Sequence, residues 1–330
     1  MSRNLKKEFV FVLRNTADYV SGQELCERFG VSRTMVWKVM NQLKEEGYQI
    51  EAVTNRGYRL QESPDVVTEE ELKSRLKTKW LGSQIVYLDQ TDSTNTRAKE
   101  YAEKEDSHGL LVITDHQLAG KGRRGRNWMT KKGTALTMSF VLKPKLPPEK
   151  MSMITLIAAL AVSRAVKTVT GLDNQIKWPN DIVIDKRKVC GILTEMSTQE
   201  DYVNHVVVGL GINVHTREFE DEIKEMAGSI AGCGKEGVKR AELAAEILLE
   251  FEQLYGQFEQ GGNLSFLQEE YNRLLANFGK ENKVVSFSGE RQGISGGINE
   301  EGELLVTFEN GEAEPVFAGE VSVRGLYGYV

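Results

Sequence analysis

Cysteine is scarce in this chain: Cys26, Cys190 and Cys233 are odd in number, far apart and form no C-x-x-C pair. That pattern excludes a disulfide framework and points to isolated thiols in a reducing, cytoplasmic compartment. Histidine is rare too. His108, His116, His205 and His215 fall into no H-E-x-x-H or similar spacing, so no protein-bound metal such as zinc is expected. Long apolar runs are missing as well. The stretch from Ile154 to Val162 is about half of what a bilayer needs and soon meets Arg164, so it reads as a buried helix. Near the start, the apolar stretch runs only from Phe9 to Leu13, too short for a secretory core; neither a leader nor a membrane partner is expected. A chain-wide basic excess is also lacking, with 42 Lys+Arg against 48 Asp+Glu and a net charge of −6. This excludes a general cationic coat for nucleic acid but leaves room for a local DNA-reading module.

The 330 residues suggest two or three domains, and 40% hydrophobic content is enough for a real core. Residues 1–60 hold ten Lys/Arg and seven Asp/Glu, a local charge of +3 in an acidic chain. Leu5 to Arg14 has helical periodicity. Ser21 to Glu24 has capping-box spacing ahead of Leu25, Cys26 and Phe29, and Gly30 closes that helix. Ser32 then caps a helix with Met35, Val36, Val39, Met40 and Leu43 at apolar positions. Two helices around a short glycine turn make a helix-turn-helix. Its second helix presents Ser32, Arg33, Thr34, Trp37, Lys38 and Asn41, side chains suited to base edges and phosphates. Alternation from Tyr48 to Val53, a turn at Thr54 to Gly57, and a return through Leu60 form a wing with Arg56 at its tip. Operator DNA is the expected partner; a protein-interaction helical domain is the competing reading.

Pro64 and the acidic stretch Thr68 to Leu72 mark the exit from this first domain. After a strand at Leu110 to Thr114 comes GKGRRGRNW, Gly120 to Trp128, with six cations and no acid between Gly120 and Lys132. Gly120, Gly122 and Gly125 satisfy G-x-G-x-x-G. However, the next element, Thr134 to Leu142, alternates as a strand, and Lys143-Pro144-Lys145 stands where a ribose-binding acid is needed. The dinucleotide reading fails. A P-loop fails too, because Arg126-Asn127 follows in place of Lys-Ser/Thr, and no H-R-D or D-F-G marks a kinase. What remains is flexible backbone bearing Arg123, Arg124 and Arg126, able to hold an anion. Self-repulsion is expected to keep this loop open until the anion arrives. Further on, Ile176 to Asp181 runs from a strand into an X-Pro turn. Ile182 to Ile184 and Lys188 to Leu193 form a hairpin, and Val206 to Asn213 is a buried strand ending in glycines and an amide. Apolar runs alone do not need Gly, Asn, Asp and Lys at their ends, so these pieces point to a ligand site.

Taken in order, D-S-T-N (Asp92 to Asn95), GKGRRGRNW, K-W-P-N-D (Lys177 to Asp181), R-K-x-x-G-I-L-x-E (Arg187 to Glu195) and G-x-G-I-N (Gly209 to Asn213) resemble biotin protein ligases. With the winged helix, the resemblance covers nearly the whole chain and is to the bifunctional ligase and biotin-operon repressor type. Lys121 stands where arginine is frequent in that family, keeping the charge and losing the fork.

The resemblance implies an α/β (α+β) protein. A winged helix-turn-helix would span 1–64, a mixed-sheet, class II synthetase-like catalytic domain 65–277, and an SH3-like β-barrel 278–330. It implies attack of the biotin carboxylate on the α-phosphorus of ATP, with Mg²⁺, to give biotinyl-5′-AMP and pyrophosphate. Transfer to a lysine of a biotin carboxyl carrier domain of a carboxylase would follow. It further implies that Arg123 folds over biotin and the adenylate phosphate, that Arg126 and Trp128 contact the nucleotide, and that Lys188 lies beside the carboxylate and α-phosphate. Ser93, Thr94, Asn95 and Gln117 would serve the biotin ring and its surroundings. Gly120, Gly122, Arg124, Gly125 and Gly191 would line the ligand, Asn213 would read adenine, and Arg324 would reach toward ATP. Asp181 would orient or deprotonate the incoming lysine. Adenylate binding would favour a homodimer presenting two winged helices to a palindromic operator. The alternative is a metabolite-sensing regulator with an inactive ligase-like domain, against which the presence of both Lys188 and Asp181 argues. A lipoate or octanoate transferase is disfavoured, since its R-R-x-x-G-G-G type motif is missing.

Overall fold

The computed structural model describes residues 5–104, 106–199, 202–286, 289–318, 322–325 and 329. Its first unit follows the helical and strand periods of the sequence: α1 (Leu5–Asn15), α2 (Gly22–Phe29), α3 (Arg33–Glu45), then β1 (Gln49–Val53) paired antiparallel with β2 (Gly57–Glu62). Ser21 Oγ accepts from Glu24 N, Ser32 Oγ accepts from Met35 N, and Gly30 ends α2 in the left-handed region at φ 67°. Each such serine cap is worth about 1 kcal/mol. Phe9, Leu13, Leu25, Val36, Met40, Leu43 and Ile50 close a core of their own.

The acidic stretch at the boundary is itself a helix, α4 (Glu69–Lys73), and its Glu71 is fully buried. Glu71 accepts from Arg14 Nη2 at 2.7 Å, Arg75 Nε at 3.0 Å and Tyr48 Oη at 2.9 Å, tying the winged helix to the next unit. A second clamp follows. Arg240, also buried, donates through Nε to Asp65 Oδ2 at 2.8 Å and through Nη1 to Asp115 Oδ1 at 2.7 Å.

The central unit runs β3 (Ile85–Thr91), α5 (Thr94–Ala102), β4 (Leu111–Gln117), a small hairpin of β5 (Gly120–Lys121) and β6 (Asn127–Trp128), and β7 (Ala135–Leu142). It continues through α6 (Met151–Thr170), β8 (Gln175–Lys177), β9 (Asp181–Ile184), β10 (Arg187–Gln199), β11 (Tyr202–Asn213), α7 (Arg240–Gly261) and α8 (Gln268–Leu274). Its seven-stranded sheet has the order β3-β4-β7-β11-β10-β9-β8 and is mixed: β3 and β4 are parallel and the other pairs antiparallel. Helices α6 and α7 cover one face, and α5 covers part of the other. Strand alternation sets the two faces. Val206, Val208, Leu210 and Ile212 enter the core under α6 and α7, each worth roughly 1.5–3 kcal/mol of burial. Val207 packs with Ala98 and Ala102 of α5. The span Pro148–Thr170 is long and apolar enough to cross a membrane, but 72% of its window is buried as this core helix.

The last unit contains β12 (Glu281–Ser286), β13 (Gly289–Ile298), β14 (Leu304–Phe308), β15 (Ala313–Val316) and β16 (Ser322–Gly325). They form an antiparallel sheet of order β15-β14-β13-β12-β16, and no β15 to β16 pair closes a barrel among the described residues. Trp178, buried beside the cis Trp178–Pro179 peptide, donates Nε1 to Gly302 O at 3.1 Å and joins this sheet to the central unit.

Candidate active site

One register row crosses the central sheet on the face that α5 leaves open. It runs from Lys177 on β8 through Asp181 on β9, Gly191 on β10 and Gly211 on β11 to Thr137 on β7. Because opposed residues share a face, this row is a groove with a polar wall at one end and a glycine floor in the middle. The motif at Gly209 to Asn213 is thus a two-sided strand. Leu210 and Ile212 fill the core, while the missing side chains of Gly209 and Gly211 let Asn95 and the Trp128 ring lie directly on the sheet. A Cβ on Gly209 would sit 1.9 Å from Asn95 Oδ1, and one on Gly211 would sit 2.5 Å from the Trp128 ring. No side chain fits at either position.

Lys188 reaches the groove through a β-bulge. The β9–β10 register shifts between Lys188 and Cys190, and both Val189 and Cys190 point into the core. The extra residue turns Lys188 to the other face, where its Nζ lies over Gly191 and 2.6 Å from Asp181 Oδ1. Burial pushes the Cys190 thiol well above its usual range, which keeps it an inert core group.

The N-terminus of α5 builds the far end. Ser93 caps the helix, and Thr94 N and Oγ1 lie 2.9 and 3.2 Å from Gln117 Oε1. Ser139 Oγ lies 2.7 Å from Thr94 Oγ1 and 2.6 Å from Asn95 Oδ1, and Asn95 Nδ2 donates to Glu195 Oε2 at 2.8 Å. Burial works against the Glu195 carboxylate, but Lys99 and Asn95 donate to it and hold its pKa below the usual value. These side chains form a buried, mutually bonded polar cluster at the start of α5.

The basic loop is not open. Gly120 pairs with Trp128, Gly122 N donates to Arg126 O at 2.7 Å, and Gly125 turns at φ 73°. Arg123 donates to Asn180 Oδ1 at 3.1 Å and to Ala318 O at 2.6 Å, while Arg124 reaches Val285 O at 3.5 Å. The expected self-repulsion is overcome because guanidinium groups find carbonyl oxygens on the neighbouring sheet. Burial lowers the pKa of Arg123, opposed by the nearby charge of Asp181. Arg126 is exposed. Trp128 lies across Gly191 and Gly211, its Nε1 buried without a hydrogen-bond partner in the described structure. Asn213 is buried and donates to Gly228 O at 3.0 Å. Arg324 pairs with Lys283 in the β12–β16 ladder, and its side chain lies outside the described residues.

Asn180, Ser139, Glu195, Gly209 and Gly211 join the site without having been singled out by sequence. All but Ser139 sit inside the quoted motifs, so those motifs were the available signal. Tyr329, which donates to Asp181 Oδ2, had none.

On the winged helix, Ser32, Arg33, Thr34, Trp37 and Lys38 share one exposed face, with Asn41 half-buried beside them. Arg56 is ion-paired to Asp18 at 3.0 Å and lies 4.1 Å from the centre of the Tyr19 ring. The wing tip is therefore braced, with its guanidinium still exposed.

Comparison with known proteins gives two domain matches: the biotin/lipoate A/B protein ligase family over residues 87–213 and an HTH domain over residues 6–59. The bifunctional ligase/repressor BirA of Bacillus subtilis is 37% identical over 94% of this chain and 96% of its own length. That of Escherichia coli is 27% identical over 96% of each chain. Among solved structures, the biotin protein ligase from Aquifex aeolicus in complex with biotin and ATP superposes with a TM-score of 0.63 at 29% identity. That match covers 74% of this chain and 99% of the other.

Proposed function

The chain belongs to the biotin protein ligase family in its bifunctional ligase/repressor form, and from that premise we propose that it activates biotin with ATP and transfers it to a carboxylase lysine. The observation that carries this reading is the meeting of three separate motifs at one point: Lys188, Asp181 and, through Asn180, Arg123. In the first step one anion must attack another, and cations fixed in a low-dielectric groove lower that barrier. Lys188 exchanges Asp181 for the biotin carboxylate and α-phosphate, and Arg123 leaves Ala318 O for the adenylate. The polar wall of Thr94, Asn95 and Gln117 holds the ureido ring; Trp128 offers its free Nε1 and ring face to the nucleotide. Asp181, released by Lys188, then orients or deprotonates the acceptor lysine, whose amine attacks the acyl carbon as AMP leaves.

Bound with the triphosphate, Mg²⁺ would neutralise phosphate charge. An adenylate-driven homodimer would present two α3 faces to a palindromic operator. The acceptor is a biotin carboxyl carrier domain. The decisive experiment incubates the protein with biotin, ATP and Mg²⁺ and follows biotinyl-5′-AMP by mass spectrometry and pyrophosphate release. A chain that binds operator DNA in the presence of biotin yet makes no adenylate would be a sensor in place of a ligase.

A further inference from the structure

The second oxygen of Asp181 is taken by a residue far from every motif. Tyr329 donates its phenolic hydrogen to Asp181 Oδ2, and the centre of its ring lies 3.4 Å from Lys177 Nζ. Lys177 and Asp181 are register partners across β8 and β9, so their side chains leave the sheet on the same face, with Cβ atoms roughly 5 Å apart. Asp181 therefore has two ammonium groups within reach: Lys177 on one flank and Lys188 on the other. Pairing with Lys177 would turn the carboxylate away from the groove and leave Lys188 unanchored. Tyr329 engages both members of that competing pair. Its ring takes the Lys177 ammonium as a cation–π partner, and its hydroxyl fixes Oδ2, leaving Oδ1 turned to Lys188 at 2.6 Å.

We propose that Tyr329 is a positioning residue that commits Asp181 to Lys188 in place of Lys177, and so sets the ammonium group that meets the reacting carboxylate. Burial, with the Asp181 charge adding to it, raises the pKa of the phenol, so it remains a donor throughout the working pH range. The last unit of the chain thus brings the Tyr329 side chain to the chemistry of the central one. This inference rests on the ligase reading above.

Its test uses the full chain and Tyr329→Phe, which keeps the ring and removes the hydroxyl. Biotin-dependent pyrophosphate release is expected to lose about tenfold in kcat, with KM for biotin and ATP within about twofold, the pattern of a transition-state loss. Tyr329→Ala, which also frees Lys177, is expected to lose more. In an Asp181→Asn background, followed by single turnover, Tyr329→Phe is expected to add nothing, because its effect runs through that carboxylate. All rates are taken below the lowest melting temperature of the set. Wild-type kcat in Tyr329→Phe, or the same loss in both backgrounds, overturns the proposal. If the wild-type chain itself releases no pyrophosphate with biotin and ATP, the ligase reading fails first and this inference with it.

Discussion

Glu71 and Asp181 are built from the same parts, a carboxylate held by a cation and a tyrosine hydroxyl, and they do opposite things. Glu71 is fully buried between the winged helix and α4, and Arg14, Arg75 and Tyr48 together saturate its oxygens. Guanidinium forks meet a carboxylate in a fixed, planar geometry. Asp181 is also buried, though less completely, and its cation is a lysine, a point charge on a flexible stem that keeps about a quarter of its side chain exposed. The first arrangement ties two units together; on the ligase reading proposed above, the second would keep the Lys188 ammonium in place for a ligand. The choice of cation and the access of the ligand separate structure from chemistry here. Carboxylate chemistry alone does not.

The comparison breaks most sharply at the cations. Lys188→Ala is expected to lower adenylate formation by at least about 10³-fold, since it removes the charge that would meet the biotin carboxylate and α-phosphate as they react. Its melting curve should stay with the wild type, because Asp181 keeps Tyr329 and some solvent. Near-normal labelling of a carrier domain by this variant would overturn the site. Glu71→Ala is expected to do the reverse. Loss of the buried charge shared by two guanidiniums costs about 3 kcal/mol, the low end for a broken buried pair because Arg14 and Arg75 keep partial solvent contact and Arg75 keeps Glu242 at 3.7 Å. Urea unfolding measures the loss, and adenylate formation per folded molecule should be unchanged. A wild-type midpoint would show that the hub does not hold the units together.

These two carboxylates also mark what sequence could tell. Asp181 and Lys188 stand in short motifs whose residue types are out of place in apolar strands, so a ligand site is legible in the residues, and the roles expected there come from the family resemblance. The same holds for Ser21, Ser32 and Gly30, whose signals act within four residues. Glu71 was read only as part of an acidic boundary, because its partners Arg14 and Tyr48 lie 57 and 23 positions away and no periodicity links them. Tyr329 meets Asp181 across 148 positions. The bulge that turns Lys188 into the groove has no composition cue either; it appears only when β9 and β10 are laid in register. The closed state of the basic loop escaped for the same reason. Its charge repels itself in sequence, but Ala318 O and Asn180 Oδ1 offset that repulsion in space.

That loop gives the next effect in size. Arg123→Gly removes both contacts and the charge over the adenylate, so release of biotinyl-5′-AMP by rapid filtration is expected to quicken about tenfold, the worth of one or two charge-assisted hydrogen bonds. An unchanged off-rate would assign Arg123 to holding the last sheet in place and deny it a role over the ligand.

The smallest effect belongs to a third carboxylate, held by a cation without a tyrosine and much more exposed. Asp92 accepts from Arg97 at 2.9 and 3.0 Å and from Ser93 N at 2.8 Å at the start of α5, and Arg97, with that backbone N–H, holds its pKa well below the usual carboxylate range. A depressed folded pKa means stability that is fully present above the unfolded value near 4 and is lost as pH falls through the folded one. Asp92→Asn should therefore lower the melting temperature slightly at pH 7, and the difference from wild type should shrink only in strong acid. Water and salt compete for an exposed pair, so the shift should also diminish at high ionic strength, unlike that of Glu71→Ala. If Asp92→Asn matched Glu71→Ala in cost and in its indifference to salt, burial would not be what distinguishes the three carboxylates.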